Sequence, residues 1–126
     1  MDERPIRVQL SRRKGFRLQE VSKALNGLPC VKVDRSTWAG NPWRVLPCYG
    51  RWVVHSHHDL PVGGLFETRE AALAYSLAQL RQHVEENPEP LEELRGKNLA
   101  CWCKVGEPCH ADVLLELANP DTSEAR

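Results

Sequence analysis

The sequence predicts an α/β fold, namely one small domain with a mixed or partly parallel sheet and about three helices. Some segments alternate apolar and polar residues, as strands do, and others repeat apolar residues at helical spacing. The two kinds of segment follow each other in turn along the chain. This order is typical of α/β proteins, and a length of 126 residues corresponds to about one domain. We therefore expect a single domain over residues 1–119 and a polar C-terminal tail over residues 120–126.

The N-terminal half is predicted to begin with a strand, a helix and a second strand. Residues 6–10 (IRVQL) alternate apolar and polar side chains, as in a strand with one buried face. Residues 18–25 (LQEVSKAL) place apolar residues at helical spacing, and the following Asn26-Gly27 is a typical helix end. The pattern then predicts a strand over 30–33, a loop over 34–43, a hairpin of 44–48 with 51–56, and an irregular stretch over 55–64 (HSHHDLPVGG).

The C-terminal half contains the clearest helix, from Thr68 to Asn87. Thr68 suits the N-cap position, and leucines and valine recur every three or four residues from 73 to 84. Pro88 and Pro90 end this helix, because proline removes a backbone donor. The remaining predicted elements are a short helix over 91–95, a strand over 99–103, a turn over 104–108 and a last helix over 109–118.

Composition restricts the compartment and the partners that we expect. No apolar run reaches the ~18 residues that span a bilayer, and the first ten residues lack the apolar stretch of a secretory signal. We therefore expect a cytoplasmic protein with no membrane partner. In a reducing compartment the five cysteines are thiols, metal ligands or nucleophiles rather than disulfides. Residues 1–17 carry six basic side chains against two acidic ones, which either suits a polyanion or forms a solvated surface.

The pattern most suggestive of chemistry is C-x-C-x5-C-H at the last strand-to-helix junction, formed by Cys101, Cys103, Cys109 and His110. One interpretation is a substrate or nucleophile site with Cys103, Cys109 and His110 as catalytic residues. Cys109 opens a helix, where the dipole lowers the pKa of a thiol, and His110 could move a proton. In an open α/β sheet such a site lies beyond the C-terminal strand ends.

Two other interpretations of this junction stay open. All four side chains are ligands of the type and number that zinc prefers. However, alternate residues of a strand lie roughly 6.5–7 Å apart, whereas zinc requires sulfurs about 3.8 Å apart. The strand would therefore have to end before Cys103. The third interpretation is packing, since cysteine is commonly buried as a small apolar residue.

A ligand-binding loop is predicted just after the second strand. Trp38 and Trp43 flank Gly-Asn-Pro, and flat indole faces can stack on bases. Asn41 offers both a donor and an acceptor, while Asp34 and Arg35 lie just upstream. The alternative is a tight turn whose tryptophans fill the core.

Basic and histidine-rich segments give weaker signals. Arg12, Arg13 and Lys14 precede a glycine and could contact phosphate, although no known phosphate-binding motif surrounds them. His55, His57 and His58 cluster near a hairpin end, where exposed histidines are common.

Three segments together resemble the family designated domain of unknown function 4326, found in bacteria and their phages. They are residues 8–15 (VQLSRRKG), residues 33–43 (VDR followed by WAGNPW) and residues 94–114 (LRGKNLACWC followed by PCHADVL). The resemblance covers nearly the whole chain and implies a compact α/β domain, without an established activity. Ala39 interrupts the Trp-Gly-Asn-Pro that is usual in this family. By analogy alone, such domains are placed among nucleotide- or nucleic-acid-handling proteins.

The expected function is therefore binding, with or without catalysis, of a nucleotide or nucleic-acid-derived ligand. One alternative is a small zinc-binding structural or interaction module without catalysis, and another is a phage-encoded factor that docks on a host protein. The first expectation requires the thiols and the tryptophan loop to meet at a common, water-accessible cavity.

Overall fold

The chain is described by a computed structural model over residues 4–34, 40–56, 58–103 and 106–119. Strands and three α-helices are interspersed along these residues, which confirms the predicted small α/β class with about three helices. The elements are β1 (Arg7–Gln9), α1 (Leu18–Asn26), β2 (Cys30–Lys32), β3 (Arg44–Cys48), β4 (Arg51–His55), β5 (Pro61–Phe66), α2 (Arg69–Glu86), a 3-10 helix (Glu89–Glu93), β6 (Asn98–Cys101) and α3 (His110–Ala118).

The predicted mixed sheet is divided into two three-stranded sheets. In the first, β6 lies between β1 and β2 and runs parallel to both. Because the three strands are parallel, their C-terminal ends lie at one edge, where ligands bind in open α/β sheets. In the second sheet, β4 lies between β3 and β5 and is antiparallel to both, and the predicted hairpin across Tyr49-Gly50 is confirmed.

Strand β5 begins in the stretch over 55–64 that is predicted to be irregular, and that prediction is wrong for residues 61–64. The pairing of β4 with β5 shifts between Val53 and Val54, so that Gly63 and Gly64 have no strand partner opposite them. Both glycines have a positive φ, of 79° and 80°, a conformation that other residues rarely adopt. This glycine bulge breaks the apolar–polar alternation by which a strand is recognised.

Gly63→Ala is expected to destabilise the protein more than Gly64→Ala does. A Cβ at Gly63 would lie 2.6 Å from the Tyr75 ring, whereas a Cβ at Gly64 would meet nothing within 4 Å. Both variants carry the strain of a left-handed alanine, roughly 1–2 kcal/mol. Only Gly63→Ala must also displace the ring, which adds about 1–3 kcal/mol. Denaturant unfolding measures the difference, and equal losses in the two variants would show that Tyr75 does not pack on Gly63.

The helices cover the sheets in layers. Helix α1 packs on one face of the parallel sheet through an apolar cluster that includes Val8 and Ala100. Helix α3 packs on the other face, against Leu99 and Cys101. Helix α2 covers the antiparallel sheet and also packs on α3.

A buried amide network joins α1 to the start of β6. Asn98 is fully buried, and its Oδ1 accepts hydrogen bonds from the Ile6 backbone N–H and from Asn26 Nδ2, both at 2.9 Å. Its Nδ2 donates to Ser22 Oγ at 2.7 Å and to Asn26 Oδ1 at 2.8 Å. Every polar atom of this side chain is therefore used to fix the N-terminal end of the central strand.

Several predictions fall on parts of the chain outside the described residues. These parts include Arg35, Trp38, His57 and the tail over 120–126, and the single domain over 1–119 stays a prediction. Among the described residues, none of the helices combines the length and the apolar character that crossing a membrane requires.

Candidate metal centre and adjoining cavity

Three thiols converge where the central strand ends. Strand β6 stops at Cys101, and Trp102 and Cys103 lie in a bend, which removes the geometric objection to metal binding by two alternate strand residues. The sulfurs of Cys101, Cys103 and Cys109 all lie within 4.8 Å of one another, and those of Cys101 and Cys109 are 3.0 Å apart. The sulfur–sulfur separation of about 3.8 Å in a tetrahedral zinc site falls between these two distances.

His110 approaches this cluster from the first turn of α3. Its Nε2 is hydrogen-bonded to the Val33 carbonyl, and its Nδ1 lies 3.7 Å from Cys109 Sγ. Since a carbonyl oxygen only accepts, Nε2 must carry the proton. Nδ1 is therefore the ring atom directed at the thiols. A backbone carbonyl that orients the far nitrogen of a histidine is a common feature around protein-bound metals.

Burial and hydrogen bonding make the three thiols unequal. Cys101 and Cys109 are 1% and 2% exposed, whereas Cys103 is half-buried. Hydrogen bonds from Cys101 and Cys109, and then from His110, lower the pKa of Cys103 far below its usual range. The same contact with Cys103 raises the pKa of Cys101 to about 11. Negative charge therefore concentrates on Cys103, the most accessible sulfur of the cluster.

The order of the pKa values differs from the sequence-based expectation for Cys109. Its hydrogen bonds to Cys101 and Cys103, together with burial, raise its pKa despite its place at the start of α3. Burial alone would lower the pKa of His110, but hydrogen bonds with Cys103, Cys109 and the Val33 carbonyl outweigh it and raise the value to about 9. The acidic thiol beside the imidazole is therefore Cys103.

Arg7 holds the segment that brings Cys109 to the cluster. Its Nη1 donates to the Glu107 carbonyl at 2.8 Å and to Asp112 Oδ2 at 2.9 Å. Arg7 belongs to β1, while Glu107 and Asp112 lie on either side of Cys109. These two hydrogen bonds, here called the Arg7 clamp, therefore hold the start of α3 against the parallel sheet.

A cavity of about 520 Å³ adjoins the thiols. The cavity is lined by Cys103, Cys109 and His110 on one side and by Asn41 and Trp43 of the predicted ligand-binding loop on another. Apolar residues of α2 form another wall. The volume lies within the range of small-molecule sites, about 300–1,000 Å³. The described part of the loop and the Cys/His junction therefore border a common hollow.

Asn41 and Trp43 shape the wall of this cavity. Asn41 Oδ1 accepts from the Trp43 backbone N–H, and its Nδ2 donates to Ser76 Oγ, both at 3.0 Å. Ser76 Oγ in turn donates to the Trp43 carbonyl at 2.7 Å. Trp43 is buried in the core and meets His83 edge-on, with ring centroids 5.6 Å apart. These contacts lock the loop onto α2.

Trp102 connects the cavity with the basic segment. Its Nε1 donates to Asp34 Oδ2 at 2.9 Å, and the Arg12 guanidinium lies 4.4 Å from the centre of its ring. Asp34 and Trp102 both line the cavity. Arg12 therefore contacts the cavity wall through Trp102 without lining the cavity, and Arg12, Arg13 and Lys14 are all exposed.

Several contributors to the site were not predicted. Trp102 stood between two candidate ligands in the sequence, and that position was the available signal. Arg69 borders the cavity from the start of α2, but a basic residue in a first helical turn is unremarkable in a sequence. The Val33 carbonyl and the Arg7 clamp depend on contacts between distant segments, for which a single sequence gives no signal.

The fold and the cysteine cluster together define a small α/β protein with a cysteine-rich candidate metal centre beside a cavity. Residues 8–120 match the family described as Domain of unknown function (DUF4326), and the chain belongs to this family. A search of curated proteins and of solved structures finds no match to the chain.

Proposed function

We propose that the protein binds one zinc ion through the thiolates of Cys101, Cys103 and Cys109. The observation that carries this proposal is the convergence of three sulfurs within 4.8 Å at a strand end and a helix start. Thiolate-rich sites favour soft or borderline metals such as zinc. His110, predicted from the sequence as a fourth member of the set, lies against Cys109.

The electrostatics of the cluster support a bound cation. Two of the thiols are almost fully buried in an apolar cluster with Leu99 and Leu114. Three thiolates so close together would repel one another, since buried like charges interact strongly. A zinc ion offsets that repulsion and deprotonates its cysteine ligands. It would also bind the end of β6 to the start of α3.

A second candidate function is favoured by the cavity. In it, the protein binds a nucleotide or nucleic-acid-derived ligand there, and the Cys103 thiolate acts beside His110 as a nucleophile without any metal. Its support is that Cys103 is the most accessible and most acidic thiol of the cluster and that it lines the cavity. The two candidates share the cavity and differ in the role of the thiols.

Metal analysis of protein purified in reductant and without chelator distinguishes the candidates. We expect about one equivalent of zinc per chain, with a melting temperature that falls when a chelator removes the metal. Bound zinc should also protect Cys103 from alkylation until the chelator is added. Metal-free, folded protein whose Cys103 reacts rapidly, and whose melting temperature rises with nucleotides, would instead support the second candidate.

A further inference from the structure

Resting on the proposed zinc site, we infer that the fourth coordination position faces the cavity and binds the ring nitrogen of a flat heteroaromatic ligand of the nucleobase or imidazole class.

The donor atoms leave one position open. Among the described residues, the group whose ligand atoms all lie within 4.8 Å of one another consists of the three cysteines and does not include His110. Tetrahedral zinc takes four ligands, and catalytic or ligand-binding zinc sites commonly keep three from the protein. His110 Nδ1 faces the cluster at 3.7 Å from Cys109 Sγ, but it is not within 4.8 Å of all three sulfurs. With its Nε2 bonded to the Val33 carbonyl, His110 acts as a positioning residue beside the Cys109 sulfur.

The open position points into the cavity. Cys103 and Cys109 line the cavity, whereas Cys101 lies behind them and is 1% exposed. A metal ion held between these sulfurs has protein behind it on the Cys101 side and free volume on the other. A donor atom of a cavity ligand can therefore reach the metal directly.

The cavity walls suit a flat ring. Trp43 and Trp102 contribute aromatic surface, and Leu73 and Leu77 contribute apolar surface from α2. Asp34, which is 8% exposed and already accepts from Trp102 Nε1, places a buried carboxylate in the same lining. Carboxylates accept N–H groups, and zinc readily takes an aromatic nitrogen as a ligand. A flat ring with a nitrogen lone pair can therefore bind the metal, and an N–H or amino group on that ring can add to the hydrogen bonds that Asp34 accepts.

Cobalt-substituted full-length protein tests this inference with imidazole and adenine as probes. The visible spectrum of bound Co²⁺ depends on the donors and their geometry. We expect each probe to change the spectrum saturably, and a bulky anion without a ring, such as sulfate, to leave it unchanged. We also expect His110→Ala to retain about one equivalent of cobalt, because three protein ligands remain.

Leu73→Trp should fill the cavity and weaken the response to adenine about tenfold or more, since overpacking of this size exceeds about 1.4 kcal/mol. Leu25→Trp is the matched control, because Leu25 is exposed on α1 and does not line the cavity; it should leave the response unchanged. Loss of cobalt in His110→Ala, or a spectrum that neither probe alters, would contradict the inference that the fourth coordination position is open to a ligand. Failure of the wild-type protein to bind cobalt or zinc would instead overturn the proposed metal site itself.

Discussion

Replacing Cys101 with serine is expected to abolish stable zinc binding and to remove the stability that the metal contributes. A serine hydroxyl is a poor substitute for a thiolate ligand, and Cys101 Sγ lies 3.0 Å from Cys109 Sγ at the centre of the cluster. Stabilisation by a bound ligand reaches about 4 kcal/mol when its free concentration is about a thousand times Kd. The variant should therefore melt at a lower temperature, and a chelator should have no further effect on it.

Cys30→Ser provides the matched control for that experiment. Cys30 is also a buried thiol on the parallel sheet, but it lies on β2 and outside the cluster. Burial raises its pKa to about 11, so it remains a neutral thiol near pH 7. This variant should keep its zinc and its sensitivity to chelators. Similar losses in Cys30→Ser and Cys101→Ser, with no difference in metal content, would reduce the role of Cys101 to packing.

Asn98→Ala is expected to cost about 3–5 kcal/mol of unfolding free energy, because it removes the four hydrogen bonds made by a fully buried side chain. The Ile6 N–H, the Asn26 amide and the Ser22 hydroxyl all bond to this side chain. Each of these hydrogen bonds contributes about 0.5–1.5 kcal/mol net. Urea unfolding of the purified variant measures the loss.

Asn87→Ala is the control for the amide network. Asn87 is exposed at the end of α2, and its side chain makes a single hydrogen bond, to the His83 carbonyl. We expect it to lose less than about 1 kcal/mol. Asn98 lies at the opposite end of β6 from the thiols, so folded Asn98→Ala should still bind zinc. A loss no larger than that of Asn87→Ala would contradict the proposed importance of the network.

Local patterns in the sequence predicted most of the secondary structure. Residues 18–26 and 69–86 carry helical periodicity and recognisable ends, such as Thr68, whose Oγ1 accepts from the Ala71 N–H. Strand β5 was missed because Gly63 and Gly64 interrupt its alternation. The division into two sheets was also not predictable, since it depends on which strands pair across long stretches of chain.

The residues of the candidate site could be selected from the sequence, but their geometry could not. Spacing identified Cys103, Cys109 and His110 as catalytic candidates and, with Cys101, as candidate metal ligands. Whether the sulfurs could converge depended on the exact end of β6, and strand ends are poorly determined by local pattern. The hydrogen bonds that decide which thiol is acidic also come from the folded arrangement, so the sequence pointed to Cys109 where the structure points to Cys103.

X-ray absorption at the zinc K-edge tests the metal centre most directly. For full-length protein loaded with zinc, we expect about three sulfur neighbours at ~2.3 Å and one lighter neighbour at ~2.0–2.1 Å. A first shell made only of nitrogen and oxygen donors would contradict binding by the three cysteines. Protein that remains folded and free of zinc when offered the metal would contradict it equally.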